Sequence, residues 1–257
     1  MSLVALARMT IHDAVRQPLT WFTGLAGVAL LALSYTFGLF NFETEDRLRM
    51  LATAGVAVGI IVGLFLAVVG MSQAIHDELA SRTALTLFAK PLGRGTYLVG
   101  KTLGIVLVAW LLQVVLAVAH AGLLAAGSIT GFEGGGAVGD GRIPVPWAAV
   151  GAAHLLGLAH TGVLACISGV LALRLPLVAN IIASFGLFVG SHLLGSLGWL
   201  GAVFVPALPA FNLDDALQLP GTPVPWSLVA SALLYSALFA AGWLAVGSAL
   251  FARQDIP

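Results

Sequence analysis

One stretch of this chain matches a nucleotide-binding pattern. Residues 95–102 read GTYLVGKT and fit G-x-x-x-x-G-K-[ST] letter for letter. A phosphate loop of this kind follows a buried strand and opens a helix of a soluble α/β domain. Here a long apolar segment follows instead, and no aspartate ends a strand-like run as a Mg²⁺ partner would require. We therefore expect no nucleotide binding, with Lys101 extending from the start of a membrane helix to the membrane interface.

A second group of residues is polar but lies inside long apolar segments, where burial is costly. His154 and His160 are six residues apart, about 240° around a helix, so they cannot hold one metal ion from one helix face. The four methionines and the single cysteine form no soft-metal cluster. We predict no metal cofactor. Hydrogen bonding between helices, lining of a translocation path, and a relay of metal ions or protons remain open for the group as a whole, which comprises Gln113, His120, His154, His160 and His192.

Glycines recur at a spacing that favours close helix packing. Gly55, Gly59 and Gly63 form two overlapping G-x-x-x-G steps, and Gly186 and Gly190 repeat the spacing later in the chain. Such a smooth face suits contact with a second chain and packing within this chain equally well.

The composition of the chain indicates that these residues lie in a membrane protein. Of 257 residues, 60% are apolar and only 9% are charged. An ordinary soluble domain has about 25% charged residues, so we expect an all-α integral membrane protein. Eleven basic and eleven acidic residues give a net charge of zero, which argues against general nucleic-acid binding. No serine–histidine pair or carboxylate pair inside the apolar segments suggests an intramembrane enzyme.

The apolar segments predict six membrane-spanning helices within a single domain of residues 1–257. The segment 199–210 is apolar but too short to span and contains Pro206 and Pro209, so we interpret it as re-entrant or interfacial. Residues 131–147 and 199–226 are predicted to be external loops. The predicted spans are 21–40, 50–73, 102–130, 148–173, 176–198 and 227–251.

The distribution of Lys and Arg predicts the orientation. With six spans, eight basic residues fall on the side of both termini and three on the opposite side. Both termini are therefore predicted to be cytoplasmic. The eight are Arg8, Arg16, Arg82, Lys90, Arg94, Lys101, Arg174 and Arg253, and the three are Arg47, Arg49 and Arg142.

Residues 1–20 are predicted to form an amphipathic helix at the cytoplasmic membrane interface. On a helical wheel, Arg8, His12, Asp13 and Arg16 fall within an arc of about 140°. An apolar arc of about 120° opposes it and contains Leu3, Val4, Ala7, Ile11, Ala14 and Val15.

The segment 74–101 is predicted to be a long cytoplasmic loop whose first part is helical. Glu78 precedes Arg82 by four residues, the favourable order for an ion pair on a helix. Lys90-Pro91 ends that helix, because proline disfavours helix at the preceding residue. A docking element for a soluble partner and a solvated connector both fit this pattern.

This loop resembles that of the ABC type-2 transporter permeases, most closely the branch linked to maturation of nitrous-oxide reductase and multicopper enzymes. The N-terminal helix, Leu208-Pro209…Phe211-Asn212 and Phe251…Arg253-Gln254-Asp255 are also similar to segments of that family. The matching loop residues are Glu78, Arg82-Thr83, Leu87 to Pro91, Arg94, Tyr97-Leu98 and Gly100-Lys101.

The resemblance implies a permease subunit of an ATP-driven exporter in a bacterial inner membrane. It implies a second permease chain, identical or different, and two copies of a cytoplasmic ATPase that use ATP and Mg²⁺. The permease itself catalyses no hydrolysis, and its loop receives the motion of the ATPase. The implied coupling residues are Glu78, Arg82, Lys90, Pro91 and Arg94. Two other classes remain open: a secondary carrier or channel that uses the intramembrane histidines, and a membrane scaffold that transports nothing.

Overall fold

A computed structural model describes residues 2–38, 44–80, 93–134, 145–193, 205–218 and 222–253, and every regular element in these ranges is helical. In chain order the helices are α1 (Leu3–Arg16), α2 (Pro18–Gly38), α3 (Thr44–Phe65), α4 (Met71–Ala80), α5 (Arg94–Gly134), α6 (Trp147–Leu171), α7 (Leu177–Leu193), α8 (Asp214–Gln218) and α9 (Trp226–Ala252). A π-helical segment, Leu66–Gly70, joins α3 to α4 without a break, and a 3₁₀ turn, Leu208–Phe211, precedes α8.

Five helical stretches are long and apolar enough to cross a membrane: Pro18–Phe37, Asp46–Glu78, Arg94–Ile129, Trp147–Leu171 and Trp226–Ala252. They coincide with five of the six predicted spans, and the chain is an all-α protein suited to multiple membrane crossings. The remaining predicted span, 176–198, corresponds to α7, which has 17 residues and falls short of spanning length.

The outer surface of the bundle is strongly apolar. Trp21, Phe22, Val118 and Leu238 are each more than 65% exposed. Apolar side chains this exposed would be unfavourable in water, but they are suited to contact with lipid acyl chains.

The centre of the bundle is formed by the α3–α4 helix and α6, whereas α2 and α9 are peripheral. The main core extends along α3, α6 and the segment 208–217, and a second core joins α1, α4, α5 and the end of α9. The second core lies at the ends of the helices where α4 stops and α5 starts, and it positions the candidate site.

Helix α1 packs on α5 through a face that differs from the one predicted. Its buried residues are Leu6, Thr10 and Ala14, while Val4, a member of the predicted apolar arc, is 72% exposed. The difference arises because α1 has two apolar environments, the protein on one flank and the lipid interface on the other. The predicted polar arc is confirmed, since Arg8, His12, Asp13 and Arg16 are exposed.

The predicted 74–101 loop is helical at both ends. The helix of the second span continues to Ala80, and α5 already begins at Arg94. The two candidate spans on either side of this loop, Asp46–Glu78 and Arg94–Ile129, contain 33 and 36 residues. At 1.5 Å per residue, each helix is about 50 Å long or more. This length exceeds the hydrocarbon thickness of about 30 Å, so the helices extend beyond the hydrocarbon where they approach residues 81–93.

Candidate functional site

A buried ion pair joins the end of α4 to the beginning of α5. The ammonium group of Lys101 donates to Oε1 of Glu78, and the hydroxyl of Tyr97 donates to Oε2 at 2.7 Å. The side chains of Lys101 and Glu78 are only 3% and 14% exposed. The prediction that Lys101 extends to the membrane interface is therefore wrong. It points inward because Glu78 supplies a buried counter-charge one helix away.

A small cavity of about 150 Å³ lies beside this ion pair. Glu78 and Lys101 form part of its lining, α1 contributes Thr10 and Asp13, and Gln17 directly after α1 also lines it. The N-terminal helix, the end of the second span and the beginning of the third thus meet around one charged pair.

Arg94, the first residue of α5, binds the end of the last helix, α9. Its guanidinium donates to the carbonyl oxygens of Phe251 at 3.0 Å and Ala252 at 3.2 Å. The cation also lies 5.9 Å from the ring centroid of Phe251. An arginine at the carbonyl end of a helix satisfies unpaired carbonyl groups and favours the helix dipole. The beginning of α5 is therefore attached to the end of α9.

Of the five predicted coupling residues, Glu78 and Arg94 flank the connection between α4 and α5. Arg82, Lys90 and Pro91 lie outside the described residues. The two described residues contact other helices of this chain, so their first role is to fix the helix ends between which residues 81–93 run.

The nucleotide-binding pattern at residues 95–102 lies within the first turns of α5. A phosphate loop wraps around its ligand in a non-helical conformation, which this helical backbone does not adopt. The glycine of the pattern serves packing instead. A methyl group at Gly100 would lie 2.7 Å from Leu6, so the glycine makes room for α1.

The glycine face of the second span receives polar side chains from other helices of the same chain. A methyl group at Gly55 would overlap the ring of His120, and one at Gly63 would overlap Gln113. One at Gly59 would lie 3.5 Å from His154. Of the two alternatives, packing within the chain is therefore the one observed for these three glycines. Gly186 differs, because no atom lies within 4 Å of a methyl group placed there.

His120 and His154 form a pair between the third and fourth spans. Nδ1 of His120 lies 2.9 Å from Nε2 of His154, and Nε2 of His120 lies 3.0 Å from the carbonyl oxygen of Leu51. Hydrogen bonding between helices is thus confirmed for these two residues. Gln113, two turns before His120, donates to the carbonyl oxygen of Gly59 at 3.0 Å.

His160 and His192 line a separate cavity of about 270 Å³ beneath the segment 208–217. The ring of His160 is 4% exposed and lies between Phe188 and Phe211, with centroid distances of 5.4 and 5.8 Å. Its Nε2 atom has no hydrogen-bond partner in the described part of the chain. A buried polar atom without a partner at a cavity wall is suited to meet a ligand or water.

A polar network at the π-helical segment was not predicted from the sequence. Asn180 of α7 donates to the hydroxyl of Ser72 at 2.7 Å and to the carbonyl oxygen of Ser168 at 3.2 Å. The hydroxyls of Ser72 and Ser168 in turn donate to the carbonyl oxygen of Val68. An available signal was Asn180 itself, an amide in an apolar helix that needs partners.

The clusters differ in what they can do chemically. Across the described ranges, no three His, Cys, Asp or Glu side chains lie close enough together to hold a metal ion. The His120–His154 hydrogen bond can pass a proton between two helices, and the Glu78 cluster ties the end of α4 to the beginning of α5. No known protein family matches this chain, and no curated protein sequence is significantly similar to it.

Proposed function

We propose that this chain is the membrane permease subunit of an ATP-driven exporter. A separate cytoplasmic ATPase docks on the segment 74–101 and supplies the energy through ATP and Mg²⁺. The observation that carries the proposal is the clamping of both ends of the 81–93 connection. Glu78 is held by Tyr97 and Lys101, and Arg94 is bonded to the end of α9.

Such clamping converts a push on the connection into motion of the spans. The Glu78 cluster joins the second and third spans, and Arg94 adds the last span. A solvated connector would need none of these contacts. The resemblance of the loop to ABC type-2 permeases supports the same role, with Arg82 and Lys90 as contacts for the ATPase and Pro91 as a shaping residue.

The distribution of charge supports a bacterial inner-membrane protein with both termini in the cytoplasm. Six described basic residues lie at the end of the bundle where α1, α4 and α9 end: Arg8, Arg16, Arg94, Lys101, Arg174 and Arg253. Arg47 and Arg49 lie at the opposite end. This orientation requires an even number of spans. We assign the predicted span 176–198, which contains α7, as the sixth span, and the predicted segment 199–210 as re-entrant.

The partner set follows from this assignment. Two ATPase copies act on two permease chains, and a second permease chain, identical or different, completes the path. Gly186, with open space around it on α7, provides a smooth face for that second chain. Gln113 and the four intramembrane histidines line the route of the cargo.

One observation favours a second candidate, a proton-coupled carrier. His160 lines a cavity and has a buried nitrogen without a partner among the described residues, and His120 and His154 form a hydrogen-bonded pair across two helices. Histidines inside membrane helices serve as proton relays in pumps and transporters. A carrier would transport in proteoliposomes without any ATPase, and an ABC permease would not.

Co-purification tests the leading proposal. Expressed with the ATPases of its own organism, the tagged chain should recover an ATPase that carries a phosphate loop. Arg82→Glu combined with Lys90→Glu should abolish recovery. If Arg82 and Lys90 contact acidic groups of the ATPase, the two introduced glutamates would repel those groups. Arg142→Glu, in a predicted external loop, is the matched control and should leave recovery unchanged. Equal recovery with all variants would contradict the proposal, provided that each elutes as the folded protein in size-exclusion chromatography.

A further inference from the structure

An apolar groove of about 510 Å³ lies between the last turns of α6 and α9. Phe239 and Trp243, with ring centroids 6.4 Å apart, form part of one wall. Val246 and Leu250 are 56% and 44% exposed at its rim, so the groove opens on the outer surface of the bundle. Both walls belong to helices long enough to cross a membrane, which places the groove against lipid.

A single charged residue, Arg174, borders the groove. Its side chain is exposed, and among the described residues no carboxylate lies within ion-pair distance of it. The backbone that carries it is held in place. The N–H of Arg174 donates to the carbonyl oxygen of Leu171 at 2.9 Å, and the carbonyl oxygen of Leu175 lies 2.8 Å from Nε2 of His76. The groove thus combines an apolar body with a cation at one end, carried by a hydrogen-bonded backbone.

We infer that this groove binds an anionic phospholipid, with an acyl chain along the aromatic wall and the phosphate group on Arg174. The volume lies within the usual range of ligand sites, roughly 300–1,000 Å³. A guanidinium matches the geometry of a phosphate group and can bind it through two hydrogen bonds. Basic pockets between membrane helices bind anionic headgroups for the same reason. The inference does not rest on the proposed transport function.

The headgroup contact is tested with Arg174→Gln. The full chain is reconstituted in nanodiscs that contain equal amounts of phosphatidylglycerol and phosphatidylcholine, and retained lipid is measured by native mass spectrometry. The wild-type chain should retain phosphatidylglycerol preferentially, and Arg174→Gln should reduce that preference about fivefold, as expected for one arginine near a lipid phosphate. Arg253→Gln, another exposed arginine at the same end but outside the groove lining, should leave it unchanged.

The acyl-chain contact is tested with Gly242→Leu. Gly242 lines the groove, and no atom lies within 4 Å of a methyl group placed there, so the leucine should fill the groove without displacing the backbone. Retention of both lipids should fall. Gly122→Leu is the matched control, because Gly122 also has open space but lies on α5, away from the groove.

Three results would overturn the inference. One is equal retention of the two lipids by the wild-type chain. Another is unchanged phosphatidylglycerol retention in both Arg174→Gln and Gly242→Leu. The third is a dimer that dissociates in Gly242→Leu without loss of lipid, which would assign the groove to a second copy of the chain.

Discussion

Lys101 and Glu78 form an ion pair between α5 and α4, and the side chain of Lys101 is only 3% exposed. Their positions are 23 residues apart in sequence, and the whole 81–93 connection lies between them. The pair therefore closes the base of that connection. A displacement of either helix end is thereby linked to the other through a charged contact as well as through the chain.

Removing one partner of the ion pair should strongly destabilise the fold. Lys101→Met leaves the carboxylate of Glu78 buried without its cation, and we expect a loss of about 3–5 kcal/mol in the free energy of unfolding. The measurement is denaturant unfolding in detergent. Glu78→Leu combined with Lys101→Met removes both charges and should recover most of that loss. A double variant as unstable as the sum of the two single variants would show that the charges do not interact.

The glycine face of the second span should tolerate no side chain opposite His120. Gly55→Ala places a methyl group into that ring and should destabilise the protein by about 1–3 kcal/mol, because overpacking shifts neighbouring helices. Gly151→Ala, where no atom lies within 4 Å of the added methyl group, is the control and should be neutral or stabilising. Thermal unfolding in detergent provides the comparison. If both substitutions had the same effect, the face would not be packed as described.

Substitution of His120 and substitution of His160 should affect the stability of the protein differently. His120→Phe removes the partner of His154 Nε2 and one hydrogen bond to the carbonyl oxygen of Leu51, and it should cost about 1–3 kcal/mol in the free energy of unfolding. His160→Phe keeps the aromatic stack and removes a nitrogen that has no partner within the described residues, so stability should change little. Denaturant unfolding of the two variants tests this difference. A large destabilisation by His160→Phe would mean that His160 is structural.

The cavity beside His192 should be accessible from the side opposite to the termini. His192→Cys should react with a membrane-impermeant maleimide added to that side of oriented vesicles, because His192 is exposed and lines the cavity. The native Cys166 is 5% exposed and should not react, which makes the wild-type chain the control. Labelling only from the side of the termini would show that His192 does not lie on the opposite side, contrary to the proposed orientation.

The sequence predicted the positions of five helices of spanning length, because a long apolar run can be recognised without knowing its neighbours. It also identified Gly55 and His120 as notable but not as partners. Their contact depends on how two helices are rotated and shifted against each other, which periodicity does not encode. Lys101 shows the same limit, since its inward direction depends on Glu78 of another helix. The π-helical segment was missed because Leu66–Gly70 has the composition of an ordinary apolar helix.

The most direct test of the coupling role is photo-crosslinking from within the 81–93 connection. A photoreactive amino acid at Leu85 should form a covalent adduct with a soluble ATPase in intact cells, and one at Gly139, in the predicted external loop, should not. Co-expression with an ATPase that lacks the lysine of its phosphate loop should preserve the adduct, since docking precedes hydrolysis. An adduct with lipid alone at Leu85, or an ATPase adduct at Gly139, would contradict the assignment of 74–101 as the segment through which this protein receives its energy.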